Sequence, residues 1–130
     1  MNNFRRVVFA LALLAAAAST TSFASSVYFV QGLAGSNYAA ATDPAFPVDI
    51  LLNDEVCYVH GLPFGNILGP VTFEPGTYNI KVSTANSLAP CTNSPLIDRS
   101  VTVEGERDMS AVIALDRSSM PVLDIFTNNL

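Results

Sequence analysis

The side chains of this chain that can do chemistry are Cys57, Cys91, His60, Asp49, the pair Asp54–Glu55, and the acidic run Glu104, Glu106 and Asp108. Nucleophilic hydrolysis needs a nucleophile, a base and an orienting group. His60 is the single histidine, Gly61 follows it, and no G-x-S-x-G elbow occurs. It reads as a half-exposed residue at a strand end. Glycoside hydrolysis needs two carboxylates flanking a bond. Asp49 and Asp54–Glu55 share one predicted hairpin, but a domain of about a hundred residues encloses little cleft, and acids at turns are solvated. No catalytic residue is assigned, and the chain is not expected to be an enzyme.

Metal chemistry fares no better. Zinc takes four ligands, and His60 with two distant thiols falls short. A calcium loop converges several oxygens. Glu104, Glu106 and Asp108, with Asp43 as a further candidate, have Arg107 among them and no EF-hand spacing. They read as a solvated turn, so neither metal nor cofactor is expected.

The cysteines lack the C-x-x-C spacing of a redox site. An even pair in an oxidising compartment reads as a disulfide, Cys57–Cys91. In the chain-entropy account, closing that loop stabilises the fold by about 3–4 kcal/mol.

The compartment is read from the N-terminus. Arg5 and Arg6 precede an apolar run from Val7 to Ala18, the length of a signal h-region and short for a bilayer span. Ser22-Phe23-Ala24 supplies small residues for cleavage after Ala24. The expected organisation is a helical signal peptide over 1–24 and a single domain over 25–130, periplasmic or secreted. No cysteine adjoins the cleavage site to carry lipid, and no later apolar run is long enough to span a membrane. The 130-residue chain has a formal net charge of −5. Cleavage would remove both leader arginines and leave Lys81, Arg99, Arg107 and Arg117 against all the acidic side chains. Nucleic acid and anionic lipid surfaces need clustered cations, so neither is an expected partner.

The elements that must position these residues are strands. Ser26–Gln31 is β-branched and aromatic. Val48, Ile50 and Leu52 alternate with Asp49, Leu51 and Asn53, placing the first set inward. Asn53-Asp54-Glu55 turns the chain into Val56–His60. Val71–Phe73, the run carrying Tyr78, Ile80 and Val82, Leu96–Glu104, Met109–Leu115 and Val122–Phe126 follow, with Val101 and Val103 inward. Three loops separate them: Gly32–Pro47, Gly61–Gly69 with Phe64 and Ile67 tucked onto the core, and Ala85–Pro95 around Cys91. About eight short strands with no long helix predict an all-β, mostly antiparallel sandwich. Pro75-Gly76 makes a tight turn, and Tyr78 after it has the place of a tyrosine corner, its hydroxyl satisfying nearby backbone. Tyr38, Phe46, Tyr58 and Phe64 are the candidate aromatics for stacking on a sugar, three of them near loops, but tryptophan, the favoured sugar platform, is absent.

The motifs Val27-Tyr28-Phe29-Val30, Val48-Asp49-Ile50, Phe64-Gly65 and Pro75-Gly76-Thr77-Tyr78-Asn79-Ile80-Lys81-Val82, in that order, resemble a family of bacterial exported domains, domain of unknown function four-three-nine-seven. The segment after the first strand is longer than that family's tight turn, and the cysteine pair stands outside its pattern. The resemblance implies an immunoglobulin-like sandwich of seven to eight strands in the envelope or outside the cell, and brings no catalytic residues. The functional expectation is a non-catalytic binding or envelope-structural domain whose partner is an envelope protein or glycan. Its contact loops would carry Tyr38, Phe46 and Phe64. The alternatives are an assembly subunit joined by β-strand addition and a small carboxylate hydrolase using Asp49.

Overall fold

The computed structural model describes residues 23–35 and 43–128. The expected leader cleavage and Tyr38 therefore lie largely or wholly outside the described residues. Eight strands follow one another: β1 (Ser25–Gln31), β2 (Val48–Leu52), β3 (Val56–Leu62), β4 (Ile67–Phe73), β5 (Gly76–Thr84), β6 (Pro95–Val103), β7 (Asp108–Leu115) and β8 (Pro121–Asn128). They form two four-stranded sheets, ordered β4-β1-β7-β8 and β3-β2-β5-β6. The all-β sandwich read from the alternation is the observed architecture, with no α-helix among the described residues. One pairing departs from the antiparallel reading. β1 runs parallel to β7, Val30 opposite Val112. Sequence spacing announces hairpins but is silent on pairing between strands some eighty residues apart.

The alternation works as periodicity requires, with one set of side chains per face. Val27 and Phe29 from β1, Val48, Ile50 and Leu52 from β2, and Met109, Ala111 and Ile113 from β7 are all buried between the sheets. Space between the sheets is nearly used up. The void lined by Val27, Phe29, Phe73, Tyr78, Val101 and Met109 is about 10 Å³, the room of one water at most.

Each open side of the sandwich is closed differently. On the β3/β4 side, Tyr58 stacks toward Phe29 and Phe73, with ring centroids 6.4 and 6.2 Å apart. On the β6/β8 side, register with Ile80 turns Arg99 toward the interior face of its edge strand, and Arg99 donates to the carbonyl of Leu123 on β8. An inward-facing charge on an edge strand is a known guard against edge-to-edge pairing.

The loop predicted over Gly61–Gly69 is shorter than expected. β3 runs on to Leu62 and β4 begins at Ile67, leaving Pro63–Asn66. The glycines that bounded the predicted loop are instead irregularities within edge strands. Gly61 has φ +71° and Gly69 φ +140°. A Cβ on Gly69 would sit 2.9 Å from the Val27 carbonyl oxygen. Phe64 and Ile67 do not tuck onto the core; both are exposed, at 47% and 64%. Phe29, fully buried and touching both sheets' aromatics, is the residue whose loss the core can least absorb. Phe29→Ala should destabilise the domain by about 3–5 kcal/mol, measured as a lower midpoint in urea with unchanged slope.

Candidate functional site

Strand directions sort the connections between the two ends of the sandwich. The first end gathers 32–35 with 43–47, Pro63–Asn66, 85–94 and 116–120; the second holds the tight turns 53–55, 74–75 and 104–107. The described parts of all three loops singled out in the sequence fall on the first end, hereafter the loop end.

What fixes the loop end is Asp49. It occupies an outward position on β2, yet only 1% of it is accessible, because the 85–94 loop folds back over it. Its Oδ1 accepts from the Gly61 N–H at 2.9 Å. Its Oδ2 accepts from the N–H groups of Asn86 at 3.0 Å and Cys91 at 2.9 Å. No lysine or arginine among the described residues pairs with it. Backbone dipoles alone compensate the buried charge, each such bond being worth about 1.5–3 kcal/mol. The disulfide acts on the same loop. Cys57 on β3 reaches Cys91 with Cα atoms 5.8 Å apart, so the loop is held covalently and by charge at adjoining points.

The loop itself is internally bonded. The Asn86 side chain accepts from the N–H groups of Leu88 and Ala89 at 3.1 and 3.0 Å. Asn93 donates to the Thr84 carbonyl at 3.0 Å. The product is a fixed loop with Leu88 at its tip, 95% exposed. Next to it, Ala85 N–H donates to Pro47 at 2.9 Å, and Phe64 N–H to Ala45 at 2.6 Å.

Gln31 does for the first loop what Asp49 does for the third. It is fully buried at the inward end of β1. Its Nε2 donates to the carbonyls of Phe46 at 2.6 Å and Leu33 at 3.1 Å, and its Oε1 accepts from Leu33 N–H at 2.6 Å.

The named candidates distribute as follows. Phe46 is not a surface contact: it packs in the core, with φ +40°, because Gln31 draws its carbonyl inward. Phe64 is exposed at the loop end. Cys57 and Cys91 are bonded to each other. Tyr78 donates its hydroxyl to the Glu74 carbonyl at 2.6 Å and sets its ring edge-on to Phe73 at 5.0 Å, the geometry of a corner tyrosine. Pro75 precedes it, and Gly76 opens β5 at φ +156°.

The acidic candidates are not brought together. Asp49 and Asp54 lie toward opposite ends of β2, roughly 10 Å or more apart at about 3.3 Å per residue. Asp54 pairs with Lys81 at 2.6 Å, which raises the lysine's pKa through that hydrogen bond. Glu104 pairs with Arg107 at 3.2 Å, and Asp43 accepts from Ala45 N–H at 2.9 Å. His60 Nε2 lies 3.2 Å from the Cys57 carbonyl oxygen. Among the described residues no three of His, Cys, Asp and Glu are grouped as metal ligands.

Asp49 and Gln31 are the positioning residues that sequence reasoning missed. A signal existed for each: Gln31 sits on the inward beat of β1, and Asp49 is the lone acid in the apolar run VDILL. Asp49→Ala would strand three backbone donors. It should cost about 3 kcal/mol or more, and hydrogen exchange should show lost protection at the Asn86 and Cys91 amides first.

Burial raises the pKa of Tyr78, with the Glu74 carboxylate adding to it, and burial does the same for Tyr58. A raised folded pKa favours the neutral phenol in the fold. That stabilisation is complete below the unfolded phenol value of about 10 and fades as pH rises through the higher folded value. Thermal melts between about pH 9 and pH 12 should therefore decline, and less steeply in Tyr78→Phe, with phenol absorbance reporting late ionisation.

No curated protein matches the chain. A family model matches residues 34–130, from the first loop through β8 and including Asp49, both cysteines and the Pro75–Val82 motif; β1 precedes the matched span. The chain belongs to the family described as Domain of unknown function (DUF4397).

Proposed function

We propose that this protein is an exported, non-catalytic binding domain that engages an envelope protein or glycan through its loop end. The observation that carries this reading is the convergence there of three connections, clamped by Asp49, Gln31 and the disulfide, with Phe64 and Leu88 exposed upon them. Rigid scaffolds characteristically carry function on loops. Apolar side chains held in place bind with little ordering penalty.

Export is supported by the basic–apolar–small pattern of residues 5–24 and by the disulfide, a bond typical of oxidising compartments. No helix among the described residues is long and apolar enough to cross a membrane. A non-catalytic role is supported by the structural partners of Asp49, Asp54, Glu104 and Asp43 and by the small void between the sheets.

Assembly by insertion of a donor strand is disfavoured by the same geometry. Insertion of a donor strand needs an unfilled groove, and eight strands already fill the core. Pairing at an edge needs a regular one. Of the four edge strands, β4 carries Pro70 and a register shift against β1, β3 is paired through two irregularities and β6 turns Arg99 inward, whereas β8 pairs with β7 without a register shift and is a regular edge.

The test is affinity enrichment from envelope extract on the immobilised domain, against a Phe64→Asp/Leu88→Asp variant. Both positions are solvent-exposed, so circular dichroism should be unchanged. The expected result is at least a tenfold loss of the enriched partner; full retention by the variant would defeat the assignment.

A further inference from the structure

The outer faces of the two sheets differ in chemistry. On β3-β2-β5-β6 the outward positions of β5 and β6 are Thr77, Asn79, Lys81, Asp98, Ser100 and Thr102, and the 85–94 loop covers the face at Asp49. That is the ordinary solvated outside of a sandwich. On β4-β1-β7-β8 the register lines up Ile67, Val30 and Val112 in one row, and Tyr28, Ser110 and Phe126 in the next. Ala114 and Val122 make a third row. Ile67 is 64% and Phe126 54% exposed, with the valines and Tyr28 half-buried. The face's carboxylates stand at its border, Asp124 on the edge strand and Asp108 at the end of β7. It carries no lysine or arginine.

We propose that this face is the interface of a homodimer, two copies packing sheet against sheet about a two-fold axis. An exposed apolar patch rimmed by polar residues marks an association site. A symmetric interface needs only one patch that complements itself, and a charge-depleted centre is what homodimer interfaces show. The charge distribution selects the occupant. Like faces meet without burying a charge at their centre. The acidic turns at Asp54–Glu55, Glu74 and Glu104–Asp108 and the charged outer face of the other sheet remain in solvent. A basic partner would find only the two border carboxylates. At about 4.8 Å between strands and 3.3 Å per residue, the face measures roughly 19 by 23 Å. Two such faces bury on the order of 1,000 Å², at the lower end for specific association, so the dimer is weak and depends on concentration. This interface is distinct from the loop end and leaves Leu88 free.

Sedimentation of the natively exported chain from about 1 µM to about 1 mM should show a shift from monomer to dimer. Val112→Lys, at the centre of the face, should remain monomeric over that range with an unchanged circular dichroism spectrum. Phe126→Lys, at a more exposed position, should weaken the dimer at least tenfold and serves if the first variant misfolds. Hydrogen exchange of the dimer should protect β1 and β7. A wild-type chain that is monomeric throughout overturns the proposal. So does a dimer indifferent to both substitutions, or one whose protection maps to the loop end.

Discussion

A single buried carboxylate organises this molecule beyond its core. Asp49 is taken out of water with no cation beside it, and three backbone N–H groups supply the compensation. An unpaired ion would exact several kcal/mol inside a protein, so the strand carrying it is acceptable only while the donors are in place. Those donors belong to β3 and to both ends of the 85–94 loop. The placement of that loop is therefore a condition of folding rather than a result of surface drift. The disulfide reinforces the same arrangement through the unfolded state, by shortening the excursions open to the denatured chain.

Polar side chains at unusual depth recur wherever this sandwich must hold a connection. Gln31 ends the inward series of β1 and spends both amide groups on the first loop. Ser25 begins that series, its hydroxyl accepting from the Arg107 N–H at 3.0 Å and donating to the Glu104 carbonyl. Arg99 takes an inward register position on β6 and closes the side of the sandwich against β8. Apolar burial sets the two layers together. With Asp49, these three residues decide how the layers are joined at their ends and margins.

The sequence made the strands legible because alternation is a local property. Val48-Asp49-Ile50 and Met109–Leu115 state their faces in a few residues. The sulfur bridge was legible from count and context, and Tyr78 from its place after Pro-Gly-Thr. The rest was hidden for two physical reasons. Asp49 looked solvated because its cover comes from residues 86–91, folded back from β5. Phe46 looked like a loop aromatic because the bond that pulls it inward originates at Gln31, fifteen residues earlier. Gly61 and Gly69 looked like the bounds of a loop because a glycine needed for an edge irregularity is spelled the same way. The apolar outer face of β4-β1-β7-β8 emerges only when the register of four strands is known, since each contributes just one or two apolar outward residues.

The position of β1 bears on how such a chain comes to be folded. It is the first of the eight described strands to leave a ribosome, yet it lies in the middle of its sheet, between β4 and β7. Its parallel neighbour begins at Asp108, so its sheet cannot be completed until most of the polypeptide has been delivered. Contacts of such long sequence separation form slowly. Until then β1 lacks the neighbour that completes its sheet, and topology alone postpones closure of the sandwich.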